Sequence, residues 1–147
     1  MIAQTGSASS TVVVDHDFHV PPEQVFDAWL DPANVRRWLF ATPGGSMQRT
    51  DINARVGGRF NVTERRNGDD IEHVGEYLAI DRPRKLVFTF SVPKFSSVAT
   101  RVTVDIAPND LGCKLTLTHE NVLPEYIDRT RQGWSIILGN LAKTIQS

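Results

Sequence analysis

Trp134-Ser-Ile-Ile-Leu-Gly-Asn-Leu-Ala-Lys-Thr-Ile145 is the stretch on which the fold turns. Trp134, Leu138, Leu141 and Ile145 fall at i, i+4, i+7 and i+11, with Ile137 beside them, which is the spacing of one apolar face of an α-helix. The chain after Pro124 therefore predicts an amphipathic helix of about twenty residues, and its stripe needs an apolar surface to cover. Gly133 and Gly139 lie inside it; each costs roughly 1 kcal/mol against alanine, which predicts close approach there to a sheet or to a bound molecule.

Upstream of Pro124 the period is two. Strand-length segments run from Met47 to Ala54, Gly58 to Arg66, Ile71 to Asp81, Lys85 to Pro93, Val98 to Ala107 and Lys114 to Asn121. Turn residues such as Val56-Gly57-Gly58, Asn67-Gly68-Asp69 and Arg82-Pro83-Arg84 divide them. Thr11 to Val20 adds a strand with Val12, Val14, Phe18 and Val20 on one face, giving about seven in all. Short connections imply an antiparallel meander. Between the first strand and the rest, Pro21-Pro22-Glu23 opens a short helix carrying Val25, Phe26, Trp29 and Leu30. Asp31-Pro32 stops it and caps a second, carrying Val35, Trp38 and Leu39. The order β-αα-β6-α predicts an α+β fold: a curved antiparallel sheet, two short helices after its first strand, and a long terminal helix over the concave face.

The chain has 147 residues, 40% of them apolar, enough for one core but not two. Residues 1–10, rich in Ser, Thr, Ala and Gly, read as a flexible lead-in, and residues 11–147 as a single domain. Sixteen basic against seventeen acidic residues give a net charge of −1, which removes the bulk electrostatic argument for nucleic acid or an anionic membrane as partner. The one cysteine, Cys113, cannot form an internal disulfide and reads as a small buried hydrophobe. The first ten residues hold no basic cluster and no apolar run, so the expected location is cytoplasmic.

Several motifs occur in a familiar order: Phe18-His19-Val20-Pro21-Pro22-Glu23-Gln24-Val25-Phe26-Asp27-Ala28-Trp29, Asp31-Pro32, Arg37-Trp38 and Gly57-Gly58-Arg59-Phe60. They continue with Gly75-Glu76-Tyr77-Leu78-Ala79-Ile80-Asp81-Arg82-Pro83, Leu86 to Phe90, Leu115 to His119 and Gly133-Trp134. Taken together they resemble the START-like helix-grip (SRPBCC) superfamily, in the branch of homologues of the activator of the heat-shock-protein-90 ATPase. That resemblance implies the helix-grip fold and a cavity between sheet and terminal helix. Its functions range from lipid and hormone carriers through aromatase/cyclases to co-chaperone domains, and the fold does not choose among them. A homodimer is a further implied possibility. The co-chaperones that name the branch carry an additional domain for which 147 residues leave no room, which argues against a chaperone partner.

Strand parity and the helix stripe name the expected cavity lining. Phe60, Val62 and Glu64 share one strand face; Val102 and Val104 share another; Leu117 and His119 a third. His73 and Tyr77 face the cavity if Leu78 and Ile80 pack under the short helices. Trp134, Leu138 and Leu141 come from the terminal helix, and Trp38, Trp134 and Phe40 stand as candidates for the cavity mouth, with Phe95 in a later loop as another gate. The expected occupant is a small apolar or aromatic molecule. Glu64, His119 and Tyr77 are the acid–base candidates for a cyclase- or hydrolase-type enzyme, Glu64 as an acid raised by desolvation or simply reaching water at a strand end. The sequence holds no nucleophile elbow, phosphate-cradling loop or zinc spacing, and His16, His19, His73 and His119 are scattered, so neither metal nor cofactor is expected. Arg36-Arg37 and Arg65-Arg66 read as solvated surface.

Overall fold

Alternation in the first ordered segment forms β1 (Val12–Phe18), with Val12, Val14 and Phe18 buried and Val13, Asp15 and Asp17 exposed. Residues 11–96 and 98–146 are described by the structure, a computed structural model; the lead-in expected over residues 1–10 lies outside them. Proline at the first helical position starts both α1 (Pro22–Ala28) and α2 (Pro32–Trp38), and the Asp31 carboxylate caps α2 by accepting from Ala33 N–H. The meander follows as β2 (Ser46–Ile52), β3 (Arg59–Arg66), β4 (Asp69–Asp81), β5 (Lys85–Phe90), β6 (Thr100–Asn109) and β7 (Gly112–Glu120). A short turn of 3₁₀ helix, Pro124–Tyr126, leads into α3 (Ile127–Gln146).

All seven strands form one antiparallel sheet in the order β1-β7-β6-β5-β4-β3-β2. The first strand closes one edge against the last, and β2 forms the other. The expected helix-grip architecture is therefore present: α3 lies across the sheet with Trp134, Leu138, Leu141 and Ala142 buried. Its far end is tied to the start of α1, where Gln146 Oε1 accepts from His19 N–H at 2.6 Å and Gln24 Nε2 donates to Ile145 O at 3.0 Å.

The two strands whose faces parity left open are resolved by a bulge. β4 pairs with β3 as far as Glu76, then with β5, and its register slips between Tyr77 and Ala79. His73, Gly75 and Tyr77 face inward, and the slip brings Ile80 inward as well while leaving Leu78 38% exposed. Packing of Leu78 under the short helices is thus corrected. A Cβ on Gly75 would lie 1.8 Å from Thr89 O and 2.6 Å from the Phe60 ring, so only glycine lets that ring cross the strand here.

Gly133 and Gly139 do not mark a close approach, because a Cβ at either would meet nothing within 4 Å. They carry the entropic cost of glycine without a packing return. Gly133→Ala and Gly139→Ala should each stabilise the protein by roughly 0.5–1 kcal/mol, read as a rise in Tm; a fall in Tm would restore the close-approach reading.

Candidate functional site

Inside the grip the space under α3 is filled by aromatic rings. Phe40, from the loop after α2, is 5% exposed and stacks on His73 with centroids 4.2 Å apart and planes 6° apart. On its other sides lie Phe90 at 5.2 Å and Trp134 at 5.8 Å. Three elements thus meet on one ring supplied by a loop. Deeper in, Trp29, Leu39, Ile52, Phe60, Tyr77, Leu86 and Phe88 surround a residual void of about 10 Å³, the volume of roughly one water. Among the described residues, the indole N–H of Trp29, one of the lining residues, is buried without a hydrogen-bond partner.

What holds Phe40 in place is Glu64, 1% exposed at the inner end of the Phe60-Val62-Glu64 row. Its Oε2 accepts from Thr42 N–H at 2.6 Å and its Oε1 from the Thr42 hydroxyl at 2.8 Å; Arg66 Nε donates to the same carboxylate. Arg66 Nη2 reaches on to the Phe40 carbonyl at 3.0 Å. Phe40 needs that restraint, since it sits at φ 60°, a left-handed conformation that costs a residue with a Cβ roughly 1–2 kcal/mol. The loop comes so close that a Cβ on Gly45 would stand 2.3 Å from Glu64 Oε2. Burial pushes the Glu64 carboxyl up, but the hydrogen bonds from Arg66 and Thr42 outweigh it and hold the group below its ordinary value. Glu64 is therefore an ionised clamp, neither a raised-pKa acid nor a solvated strand end.

His119 is tied up in the same way. Trp134 Nε1–H donates to His119 Nδ1 at 3.0 Å, and Thr100 Oγ1 lies 2.7 Å from His119 Nε2 while its own proton goes to Phe90 O at 2.9 Å. These partners assign the neutral Nε2–H tautomer. The chain Trp134–His119–Thr100–Phe90 pins α3 to β7, β6 and β5. His73 donates through Nδ1 to Val62 O at 3.0 Å. Burial lowers both histidines to about 4, and burial raises the Tyr77 phenol.

The remaining expected residues fall in two groups. Phe60, Glu64, His73, Tyr77, Phe40 and Trp134 come together around the rings and the void, whereas Val62, Val102, Val104, Leu117, Leu138 and Leu141 are wholly buried core. Trp38 is also core: it is 0% exposed and its Nε1 donates to Ala28 O at 3.2 Å, which corrects its placement at a cavity mouth. Trp134 sits at the centre of the stack instead of its rim, and Phe95 points away at 72% exposure. Phe90, Trp29 and Arg66 are additions. Phe90 shares parity with Leu86 and Phe88, and Arg66 lies two residues beyond Glu64 on the same strand face; that pairing of opposite charges at i, i+2 is the signal that distinguishes it from exposed Arg65, which pairs with Asp70 at 2.8 Å.

Because His73 and His119 are neutral in the fold, the unfolded chain, titrating near 6.5, binds more protons between pH 6.5 and 4. Their contribution is complete above that window and is lost as pH falls through it. Urea unfolding near pH 5 should give a free energy lower than near pH 7 by roughly 2 kcal/mol per histidine. His73→Phe, which keeps the stack, should remove about half of that loss; stability flat from pH 7 to 5 would contradict the buried neutral state.

The architecture recurs among solved structures. CV1439 from Chromobacterium violaceum superposes with a TM-score of 0.84 at 24% identity, over 93% of this chain and 98% of that one. SA2116 from Staphylococcus aureus, a protein of unknown function, gives 0.82 at 15% identity over 95% and 94%. The AHSA1-like protein from Aeromonas hydrophila gives 0.79 at 20% identity over 92% of each chain. No curated protein matches. The sequence model described as activator of Hsp90 ATPase homolog 1-like protein matches residues 19–146, and with nearly all the described chain inside that match, the protein belongs to the activator of Hsp90 ATPase homolog 1-like family.

Proposed function

We propose that the protein binds a small apolar or aromatic molecule in the grip between the sheet and α3, admitted when Phe40 leaves its stack. The observation that carries this reading is where the filling ring comes from. Phe40 belongs to a loop, so withdrawing it breaks no helix or strand hydrogen bond and opens a space walled by His73, Phe90 and Trp134. A guest ring there replaces the stacking that Phe40 gives up. The unpartnered Trp29 N–H beside the adjoining void supplies a donor for a guest carrying one acceptor.

Binding is favoured over catalysis for a specific reason. Glu64 and His119 have their lone pairs and protons committed to Thr42, Arg66, Trp134 and Thr100, which leaves neither free to move a proton on a substrate.

The reading is tested with 1-naphthol by native mass spectrometry and thermal shift. Occupancy at a concentration near 100 Kd should stabilise the protein by roughly 2–3 kcal/mol. Removing the competing ring in Phe40→Ala should tighten binding, since the open state no longer has to be drawn from a minor population; Phe40→Leu, which packs more conservatively, should tighten it less. If the wild type and both variants stay ligand-free, the interior is a core and the reading fails.

A further inference from the structure

A separate groove lies outside the grip, between α2 and the free edge of the sheet. Its volume is about 310 Å³, at the lower end of what small-ligand sites enclose. One wall is a helix face, since Pro32 and Ala33 stand four and three residues before Arg36 on α2. The other wall is β2, where the ladder skips Gln48: Met47 pairs with Glu64 and Arg49 with Thr63. With that bulge Met47 and Thr50 are partly buried while Gln48 and Arg49 are exposed, so the floor is partly buried and the rim is charged.

The charge is one-sided. The residues that line the groove include Arg36 and Arg49 and neither Asp nor Glu. Among the described residues Arg36 forms no ion pair. Arg49 donates from Nε to Asp51 at 3.1 Å, but both side chains are more than half exposed, so that pair is worth little and yields to a better-placed anion. The contact nonetheless shows which chemistry Arg49 accepts. Among the described residues β2 is the sheet's last strand, with one row of backbone groups on its outer edge.

We propose that this groove is a second binding site, for a small amphiphilic acid whose carboxylate or phosphate lies between Arg36 and Arg49 and whose apolar part rests on Met47 and Pro32. Planar guanidiniums bind either oxyanion bidentately, and the shallow apolar floor selects a short hydrocarbon or a single ring over a long chain.

Amide chemical shifts of the ¹⁵N-labelled full chain test it, titrated with hexanoate, with phenyl phosphate and with uncharged hexanamide in about 150 mM salt, where long-range attraction between exposed charges is screened. Saturable shifts confined to residues 33–36 and 47–51 with either acid support the site, and the stronger acid identifies the oxyanion. Hexanamide should bind at least about tenfold more weakly, and Arg36→Gln and Arg49→Gln should each weaken the acid about tenfold. Arg131→Gln, on the exposed side of α3, should change nothing. Equal binding of hexanamide, shifts elsewhere, or indifference to both groove variants would each overturn the proposal. The grip plays no part in these readouts, so failure of one site leaves the other standing.

Discussion

A carboxylate taken out of water costs several kcal/mol unless hydrogen-bond donors surround it. Glu64 meets that condition by drawing Thr42 and Arg66 onto itself. Because Thr42 and Phe40 share a loop, satisfying the charge also fixes the ring. Arg66 closes the arrangement from the other side by donating to the Phe40 carbonyl, and Gly45 leaves the room the carboxylate needs. The loop between α2 and β2 is thereby held against the sheet by charge-assisted hydrogen bonds, while the interior it covers is almost wholly apolar or aromatic.

The stack follows from that anchor. Phe40 meets His73 and Phe90 from the strands and Trp134 from α3, and Trp134 in turn holds His119 and, through Thr100, the end of β5. Sheet and terminal helix are joined twice over, by the ring of a loop and by a relay of three hydrogen bonds. The two joints differ in kind: the relay ties regular elements together, whereas the stack depends on a ring carried by a loop.

Most of the fold was legible because it rests on local rules. Proline at two helix starts, Asp31 as a cap, Asn67-Gly68 at a hairpin and the shift of period after Pro124 each state their consequence in the sequence itself. Parity failed where the chain departs from regular pairing. The slip after Tyr77 put Leu78 and Ile80 on faces that simple alternation cannot assign, and the glycines of α3 suggested a contact that does not exist. The candidate site was legible as a set of residues and illegible as a set of roles. Parity turned Glu64 and His119 inward, but their partners, Thr42, Arg66, Trp134 and Thr100, come from distant points of the chain, and those partners make one an ionised clamp and the other a fixed neutral tautomer. Val102, Val104, Leu117, Leu138 and Leu141 obeyed the same parity and are simply core.

The central claim is that the Glu64 charge keeps Phe40 seated. It is tested most directly by the ¹⁹F spectrum of the protein carrying 4-fluorophenylalanine at position 40, recorded with Glu64 intact and with Glu64→Gln. With the carboxylate present, one resonance displaced by the rings of His73 and Phe90 is predicted. With glutamine, which loses the charge that holds Arg66 and Thr42, a second resonance at the solvent-exposed position should gain intensity. An unchanged single displaced resonance would show that the stack holds itself and that the clamp is incidental.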